Sequence, residues 1–216
     1  MRVLLIGCGD VARRLVPLLP KGWRLYGLLR DPAQRATWRQ LGVIPIPGDL
    51  DRASSLRRLA GLAECVIHLA PPPSSGTVDA RTRHLLAALA KGRILPGRAV
   101  YVSTSGVYGD CGGAWVAETR TARPESERAQ RRLDAERQLR AFARRSGTQV
   151  TTLRAPGIYA RERLPLERLK RRIPAPLAEE DAHTNHIHAD DLARLVRAAL
   201  FRGRPNRVYN ANDDSE

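Results

Sequence analysis

The sequence predicts an α/β protein built on a doubly wound, mostly parallel β-sheet. Short runs rich in leucine and β-branched residues alternate with amphipathic stretches almost from end to end. The connections between them are short, and a glycine-containing turn joins the first apolar run to the first amphipathic stretch. Because parallel strands need crossover connections, this alternation predicts helices on both faces of one sheet. Sheets of this kind bind ligands beyond the carboxyl ends of their strands.

Seven strands and six helices follow from this alternation. The predicted strands are Val3–Gly7, Leu25–Leu29, Val43–Pro45, Cys65–Leu69, Val100–Thr104, Val150–Arg154 and Val208–Asn210. The predicted helices are Val11–Leu19, Ala33–Leu41, Leu56–Leu62, Val78–Lys91, Glu125–Ser146 and Asp191–Phe201. Pro17 lies inside the first of these helices and lacks a backbone N–H, so we expect a kink or an early end there.

The net charge of +15 raises the question of a nucleic-acid partner. Arginine supplies nearly all of the basic residues, and arginine pairs recur along the chain without forming a single basic arm. The pairs are Arg13-Arg14, Arg57-Arg58, Arg131-Arg132, Arg144-Arg145 and Arg171-Arg172. This spread is typical of solvated helix faces, so nucleic acid is not the expected partner, while steering of phosphorylated ligands stays open.

Cysteine content and hydropathy give the expected compartment. Cys8, Cys65 and Cys111 lie far apart and match neither a disulfide framework nor a zinc pattern. No apolar run is long enough to span a bilayer, and the N-terminal run is too short for a signal peptide. We therefore expect a cytoplasmic protein with no membrane partner.

The turn after the first strand has the pattern of a phosphate-binding loop. Gly7 permits a tight turn, Gly9 lets the backbone approach a pyrophosphate, and Ala12 is small enough for close packing of helix on strand. Asp10 and Val11 open the helix, whose first N–H groups carry partial positive charge towards the phosphates. Inside a full β-α-β unit, this pattern predicts a dinucleotide site.

The end of the second strand bears on which dinucleotide is bound. An acidic residue there would hold a ribose 2′-hydroxyl, whereas an arginine favours a 2′-phosphate. Arg30 comes first and is followed by Asp31 and Pro32. We therefore favour NADP, bound through Arg30. NAD stays open unless Asp31 only caps the next helix.

Two parts of unequal size are expected. Residues 1–158 hold six of the predicted strands and would form a Rossmann-type NAD(P)-binding domain. Residues 159–216 would supply small substrate-side segments, from which a strand and a helix return to the Rossmann core. Periodicity weakens from about residue 159 to residue 185, where three prolines occur.

Several further segments, in this order, carry a resemblance to a known family. They are Gly48-Asp49-Leu50, His68-Leu69-Ala70, Tyr101-Val102-Ser103-Thr104-Ser105-Gly106-Val107-Tyr108-Gly109, Leu153-Arg154-Ala155-Pro156-Gly157-Ile158-Tyr159, Ile187-His188-Ala189-Asp190-Asp191 and Val208-Tyr209-Asn210. Over almost its whole length the chain resembles the extended short-chain dehydrogenase/reductases, specifically the NAD-dependent epimerase/dehydratase-like group. Extended members usually continue beyond the Tyr-Asn strand, so the substrate-side part is expected to be minimal or incomplete.

The resemblance implies roles for individual residues. Asp49 and Leu50 would contact the adenine. The adenosine ribose and pyrophosphate would be contacted by Leu69, Ala70 and Pro71. Ser103 and Pro156 would contact the nicotinamide. Thr104 matches the family's catalytic Ser/Thr, whose hydroxyl polarises the reacting carbonyl or alcohol. The alternative for Ser103 and Thr104 is that they are polar residues that simply finish a strand.

The sequence departs from the family at its proton relay. Members carry a Tyr-x-x-x-Lys pair on the next long helix, where the lysine lowers the tyrosine's pKa. If Glu136 is the family's usual helix glutamate, the tyrosine position holds Arg128 and the lysine position holds Arg132. A permanently protonated arginine cannot replace a phenol as general acid or base. The standard relay is therefore absent.

Other residues could take over these roles. Tyr108 and Tyr159 each follow a strand, and Tyr108 is our candidate catalytic proton donor, with a role as pocket wall as the alternative. Arg128 and Arg132 either bind an anionic substrate or are ordinary helix-surface arginines. The run from His183 to His188 invites a metal site, but the resemblance accounts for it as a strand that leads into a helix. No metal is expected.

The leading hypothesis is an NADP-preferring oxidoreductase or epimerase that acts by hydride transfer with a nonstandard proton donor. Its substrate would be a small molecule such as a nucleotide sugar or another anionic ligand, by analogy with the family. Assembly into a homo-oligomer stays open. The alternative is a dinucleotide-binding regulator without turnover, which the missing tyrosine and lysine favour.

Overall fold

The computed structural model describes residues 1–164, 170–171 and 184–213. Its main sheet has seven strands, all parallel to their neighbours, in the order β3-β2-β1-β4-β5-β6-β9. Their bounds are β1 Arg2–Ile6, β2 Arg24–Leu29, β3 Val43–Pro47, β4 Cys65–His68, β5 Arg98–Thr104, β6 Gln149–Ala155 and β9 Arg207–Asn210. A second, two-stranded sheet pairs β7 Gly157–Tyr159 with β8 His186–His188. The doubly wound parallel sheet is thus confirmed.

Five α-helices connect the strands of the described chain. They are α1 Asp10–Leu15, α2 Arg35–Gln40, α3 Ala80–Leu89, α4 Glu127–Ser146 and α5 Ala189–Arg202. The first ends early, as expected, because Pro17 places Val16–Leu18 in a 3₁₀ turn. The predicted helix Leu56–Leu62 is wrong in type and bounds. It is a 3₁₀ helix over Ala53–Leu59, and the chain leaves it through Gly61 at a φ of +68°.

Capping residues set the starts of the two long helices on one face of the sheet. The Asp79 side chain accepts a hydrogen bond from Thr82 N at 2.9 Å, so α3 starts at Ala80 and not at Val78. Ser126 accepts from Ala129 N at 3.2 Å and starts α4 two residues later than predicted. Asx and serine caps of this kind satisfy backbone donors that the first turn leaves unpaired.

Alternate side chains of β1 pack into two separate hydrophobic cores, one on each face of the sheet. Val3 and Leu5 point to the face covered by α1 and α5, and Leu4 and Ile6 point to the face covered by α3 and α4; all four are fully buried. Strands buried on both faces are continuous apolar runs, which is why the sequence showed no polar alternation there. The doubly covered sheet leaves its carboxyl edge as the place for a ligand.

The last part of the described chain returns to the main sheet. Strand β9 pairs with β6, and α5 packs against α1. Much of the stretch 165–183 lies outside the described residues, including all three prolines and His183, so the division at residue 158 stays a prediction. In the described parts of the chain, no helix combines the length and the apolar character needed to cross a membrane.

Candidate functional site

A cleft opens at the carboxyl ends of β1 to β4, where the sheet topology predicts a ligand. Six of the predicted cofactor residues line it, namely Gly7, Arg30, Asp49, Leu50, Ala70 and Pro71. The other lining residues are Cys8, Leu28, Leu29, Asp31, Gln34, Gly48 and Arg81. Residues from four separate loops and strand ends therefore meet at one place, as binding of an extended ligand requires.

Gly7 and Gly9 have different surroundings in the turn that borders this cleft. Gly7 has a φ of +92°, and a Cβ there would lie 2.7 Å from Ala70 Cα and from the carbonyl carbon of Leu69. A Cβ on Gly9 would meet no atom within 4 Å. Gly7 is thus required by the protein's own packing, whereas the space beside Gly9 is left open to a ligand.

Helix α1 begins directly after Gly9, next to this open space. Gly9 is the N-cap of α1 and has no side chain to satisfy the first N–H groups of the helix. Ala12 is fully buried between α1 and the sheet, which is the close packing predicted for it. Burial raises the pKa of the neighbouring Cys8 thiol to about 12, so this cysteine adds no negative charge to the turn.

Asp10, in the first turn of α1, is held by an arginine one turn later. Arg14 Nε donates to Asp10 Oδ1 at 2.9 Å, and the same guanidinium reaches Asp190 at 2.7 Å and Glu162 at 3.1 Å. The hydrogen bond from Arg14 lowers the pKa of the Asp190 carboxyl. Arg14 therefore ties α1 to the start of α5 and to the segment after β7.

The end of β2 separates the two residues that bear on cofactor choice. Asp31 Oδ1 accepts a hydrogen bond from Ala33 N at 2.9 Å and caps the 3₁₀ turn Pro32–Gln34. Arg30 lies exposed at the rim of the cleft. The capping role that the sequence left open for Asp31 is the one observed, and Arg30 remains the basic residue of this strand end.

A second arginine at this end of the cleft was missed by the sequence analysis. Arg81 of α3 donates to both oxygens of Asp51, at 2.7 and 2.6 Å, and to the carbonyls of Pro71 and Pro72, each at 3.2 Å. This guanidinium lowers the pKa of Asp51. Arg81 appears in sequence as one more arginine on a helix, because its role depends on two distant loops that meet only in the fold.

The adenine contacts implied for Asp49 and Leu50 fall in a well-fixed loop. Ser55 Oγ accepts a hydrogen bond from Asp49 N at 2.9 Å, and Asp49 Oδ1 accepts one from Asp51 N at 3.0 Å. His84 Nδ1 lies 2.8 Å from the carbonyl oxygen of Leu50. The loop is preorganised, and Leu50 presents an apolar side chain to the cleft.

Ser103 and Thr104 end β5 next to the same edge but have different surroundings. Ser103 is buried and donates to Glu136 Oε1 at 2.6 Å. Thr104 is half-buried, and its Oγ1 accepts from Gly106 N at 3.2 Å, which leaves its hydroxyl hydrogen to donate. Ser103 is therefore committed to the protein, whereas Thr104 can still donate to a ligand.

The Tyr108 ring and hydroxyl are both engaged. Its hydroxyl donates to Asn210 Oδ1 at 2.7 Å, and the guanidinium carbon of Arg154 lies 4.6 Å from the centre of its ring. Only 5% of the residue is exposed. These contacts hold both the ring and the hydroxyl, and the roles of proton donor and of pocket wall both stay predictions.

Comparison with known proteins places these features in a family. The model of the NAD-dependent epimerase/dehydratase family matches residues 3–211. The chain belongs to this family. It is an epimerase/dehydratase-like, dinucleotide-binding protein with a Rossmann fold, as the resemblance in sequence implied. No curated protein sequence matches the chain.

Solved structures share the fold over nearly the whole chain. A conserved protein of unknown function from Silicibacter pomeroyi is 29% identical, with a TM-score of 0.74 over 99% of this chain and 73% of that one. The dTDP-glucose 4,6-dehydratase of Streptomyces venezuelae, solved with NAD and TYD, is 24% identical, with a TM-score of 0.80 over 98% and 75%. UDP-glucuronic acid 4-epimerase from Bacillus cereus, solved with NAD, is 23% identical, with a TM-score of 0.77 over 100% and 78%.

The helix that would carry the family's tyrosine and lysine differs at both positions. Arg128 is exposed at the first turn of α4, whereas Arg132 is only 8% exposed. The interpretation of Arg132 as a helix-surface arginine is therefore wrong: its Nη1 donates to three oxygens beneath the helix. Sequence periodicity could not show this, because an arginine on an amphipathic helix is normally solvated.

One turn along α4, a buried ion pair joins the helix to β6. Glu136 is 1% exposed and accepts from Arg154 Nε at 3.1 Å and from Arg154 Nη2 at 2.8 Å. The same carboxylate accepts from Ser103. A buried carboxylate needs this number of partners to offset its desolvation. Glu136 and Arg154 thus fix the strand end that carries Thr104.

The remaining sequence candidates lie on the two-stranded sheet. The Tyr159 hydroxyl donates to Asp213 Oδ2 at 3.2 Å, and its ring meets the edges of His186 and His188. His188 Nδ1 accepts from Asp190 N and caps α5. Across the described residues, no three His, Cys, Asp or Glu side chains come together as a metal site. Pro156 follows β6 directly and is half-buried.

Proposed function

We propose that the protein is an NADP-preferring oxidoreductase or epimerase that acts by hydride transfer. The observation that carries this proposal is the empty space beside Gly9, at the N-terminus of α1. Such a terminus attracts the two phosphates through its first N–H groups and its partial positive charge. Asp10 and Val11 supply the first of these N–H groups.

The preference for NADP rests on charges at the adenosine end of the cleft. Arg30 lies exposed in its lining, Arg81 lies there paired with Asp51, and Asp31 Oδ1 accepts from the Ala33 N–H. A ribose 2′-hydroxyl is normally held by a carboxylate at this position, whereas a 2′-phosphate is held by arginine. The dehydratase and the epimerase named above were solved with NAD, so the preference is proposed for this chain on its own residues.

The chemistry would take place beside Thr104. A bound nicotinamide supplies or accepts the hydride. The Thr104 hydroxyl would donate to the substrate oxygen on which negative charge develops, and Ser103 with Glu136 would hold that strand end still. Tyr108 would line the pocket and could move a proton only if it released Asn210. The substrate we propose is a nucleotide sugar or a related anionic ligand, as named for the two sugar-nucleotide enzymes above.

Cofactor choice is tested by calorimetric titration with NADPH and NADH. We expect the wild-type protein to bind NADPH more tightly, and Arg30→Ala to weaken NADPH about tenfold while it leaves NADH unchanged. Arg39→Ala is the matched control, because Arg39 is an exposed arginine on α2 that does not line the cleft. Tighter NADH binding by the wild-type protein would reject the NADP assignment.

Incubation with a panel of nucleotide sugars tests catalysis: a reductase consumes NADPH, whereas an epimerase needs NADP⁺ and changes the sugar without net turnover of cofactor. Thr104→Ala should lower kcat roughly a hundredfold at unchanged NADPH affinity, and Thr104→Ser should restore most of the rate because it keeps the hydroxyl. Equal activity of Thr104→Ala and wild type would remove Thr104 from the site. Tyr108→Phe should change kcat by less than about threefold if the residue is a wall.

A dinucleotide-binding regulator is the second candidate. It is favoured by the arginines at the relay positions on α4 and by the engagement of the Tyr108 hydroxyl with Asn210. It predicts tight binding of NADPH with no turnover of any member of the panel. Turnover by wild type that Thr104→Ala abolishes would exclude it.

A further inference from the structure

The buried guanidinium of Arg132 joins the ends of two neighbouring strands. Arg132 Nη1 donates to the carbonyl oxygen of Ala70, just after β4, at 3.2 Å, and to that of Val102, in β5, at 2.9 Å. It also donates to the Tyr101 hydroxyl at 3.2 Å, and its guanidinium carbon lies 5.7 Å from the centre of the Tyr101 ring. Two of its three acceptors are therefore main-chain atoms at the edge of the sheet where the cleft lies.

The peptide that Arg132 holds is the one against which the phosphate turn packs. Ala70 lines the cleft, and the Leu69–Ala70 backbone fills the space where a side chain on Gly7 would be. Leu69 N also donates to Ile6 O at 2.7 Å, which joins this peptide to the end of β1. A shift of the Leu69–Ala70 peptide would change the wall of the cleft and the support of the turn at the same time.

The next turn of α4 braces the neighbouring strands in the same way. Glu136 follows Arg132 by four residues, so both side chains leave the same face of the helix. Glu136 binds Ser103 at the end of β5 and Arg154 near the end of β6. One buried, charged face of α4 thus fixes the ends of β4, β5 and β6. On this face, Arg132 is the residue that bonds to Ala70, which lines the cleft.

We propose that Arg132 is a positioning residue that sets the affinity of the cleft for its dinucleotide by holding the Leu69–Ala70 peptide against the Gly7 turn. Since this role concerns the same cleft, it rests on the proposed function. An arginine suits it because its long side chain carries Nη1, which has two N–H donors and a permanent charge, to acceptors on two strands at once. No contact between the guanidinium and an anionic substrate is required.

Arg131 offers a matched control on the same helix. It is also buried, and it donates to the carbonyl oxygens of Ser74 and Gly76 and to the Glu127 carboxylate. Its replacement removes a buried arginine and several hydrogen bonds, but none of them goes to Ala70 or Val102. Arg131→Met and Arg132→Met therefore differ chiefly in whether the cleft wall loses its support.

The test is a calorimetric titration of the full chain with NADPH and with adenosine 2′-monophosphate, well below the melting temperature of each variant. Arg132→Met should weaken NADPH binding about tenfold and Arg132→Lys severalfold, because the lysine keeps the charge but is too short to place its Nζ where Nη1 lies. Arg131→Met should change it less than about twofold. Adenosine 2′-monophosphate has no pyrophosphate to lie on the Gly7 turn, so Arg132→Met should weaken its binding less than it weakens NADPH binding.

The outcomes separate this role from a purely structural one and from the proposed function itself. Wild-type affinity for NADPH in Arg132→Met, or equal losses in Arg131→Met and Arg132→Met, would overturn the role. Should Arg132→Met fail to fold, Arg132→Lys decides, since an unchanged affinity there would also overturn it. Failure of the wild-type protein to bind either dinucleotide would overturn the proposed function, and this role with it.

Discussion

The two halves of the candidate site are formed by different kinds of groups. The half formed by β1 to β4 consists of backbone and small side chains, with Gly7 and Gly9 in the turn and Ala12 beneath it. The half formed by β5 and β6 is held by buried charges on α4, chiefly Arg132 and Glu136. The first half leaves room for a ligand, and the second fixes strand ends next to that room.

Because of this difference, we expect that some mutations change the affinity for the dinucleotide and others change the free energy of unfolding. Backbone geometry at the turn sets where the phosphates can lie, so a change there should affect affinity first. The Glu136–Arg154 ion pair contacts none of the described residues that line the cleft, so a change there should affect the free energy of unfolding first.

The largest effect on affinity is expected at Gly7. In Gly7→Ala, a Cβ would stand at a φ of +92° and press on the Leu69–Ala70 backbone, so the turn must open. We expect NADPH affinity to fall roughly a hundredfold, measured by calorimetric titration. Gly22→Ala is the control, since Gly22 also has a positive φ, +90°, but its Cβ would meet nothing within 4 Å. Equal losses in both variants would mean that backbone strain alone, and not the packing of the turn, sets the affinity.

The largest effect on stability is expected at Glu136. Glu136→Gln leaves the Arg154 guanidinium buried without its carboxylate, which should cost about 3–5 kcal/mol in urea unfolding. Arg140→Met is the control: it removes an exposed guanidinium 3.9 Å from the same carboxylate and should cost no more than about 1 kcal/mol. Similar costs for the two variants would contradict the central place given to the buried pair.

A buried histidine at the end of β4 should make stability fall in acid. Burial lowers the pKa of His68 to about 3, so the folded protein keeps it neutral while the unfolded chain protonates it near pH 6.5. Its contribution is therefore complete above pH 6.5 and is lost as pH falls towards 3, by up to about 1.4 kcal/mol per pH unit. Urea unfolding of wild type and His68→Gln at several pH values measures it. Parallel pH profiles of the two proteins over this range would rule the effect out.

The smallest effect is expected at Asp31 on the turn side. Asp31→Ala removes the cap of the turn Pro32–Gln34 and should cost about 1 kcal/mol of stability. Because its carboxylate is used within the protein, NADPH should still bind more tightly than NADH, as titration with both would show. A selective loss of NADH affinity would instead assign Asp31 to the ribose.

The same contrast explains what the sequence could predict. The strands, the sheet class and the glycine turn after β1 depend on local patterns of apolar residues and glycine, and the structure confirms the strands and the sheet class. Phosphate binding at the turn stays a prediction. Arg81, Arg132 and the Glu136–Arg154 pair join segments far apart in the chain, so no spacing rule points to them. The helix predicted at Leu56–Leu62 was wrong because apolar spacing does not distinguish an α-helix from a short 3₁₀ helix.

The most direct measurement is amide hydrogen exchange of the full chain with and without saturating NADPH. If the phosphates lie on the open N-terminus of α1, exchange should slow at residues 9–12 and around Arg30, and change little in the centre of α4. Protection confined to other parts of the chain, with residues 9–12 exchanging at their unliganded rate, would contradict the placement of a dinucleotide at this turn.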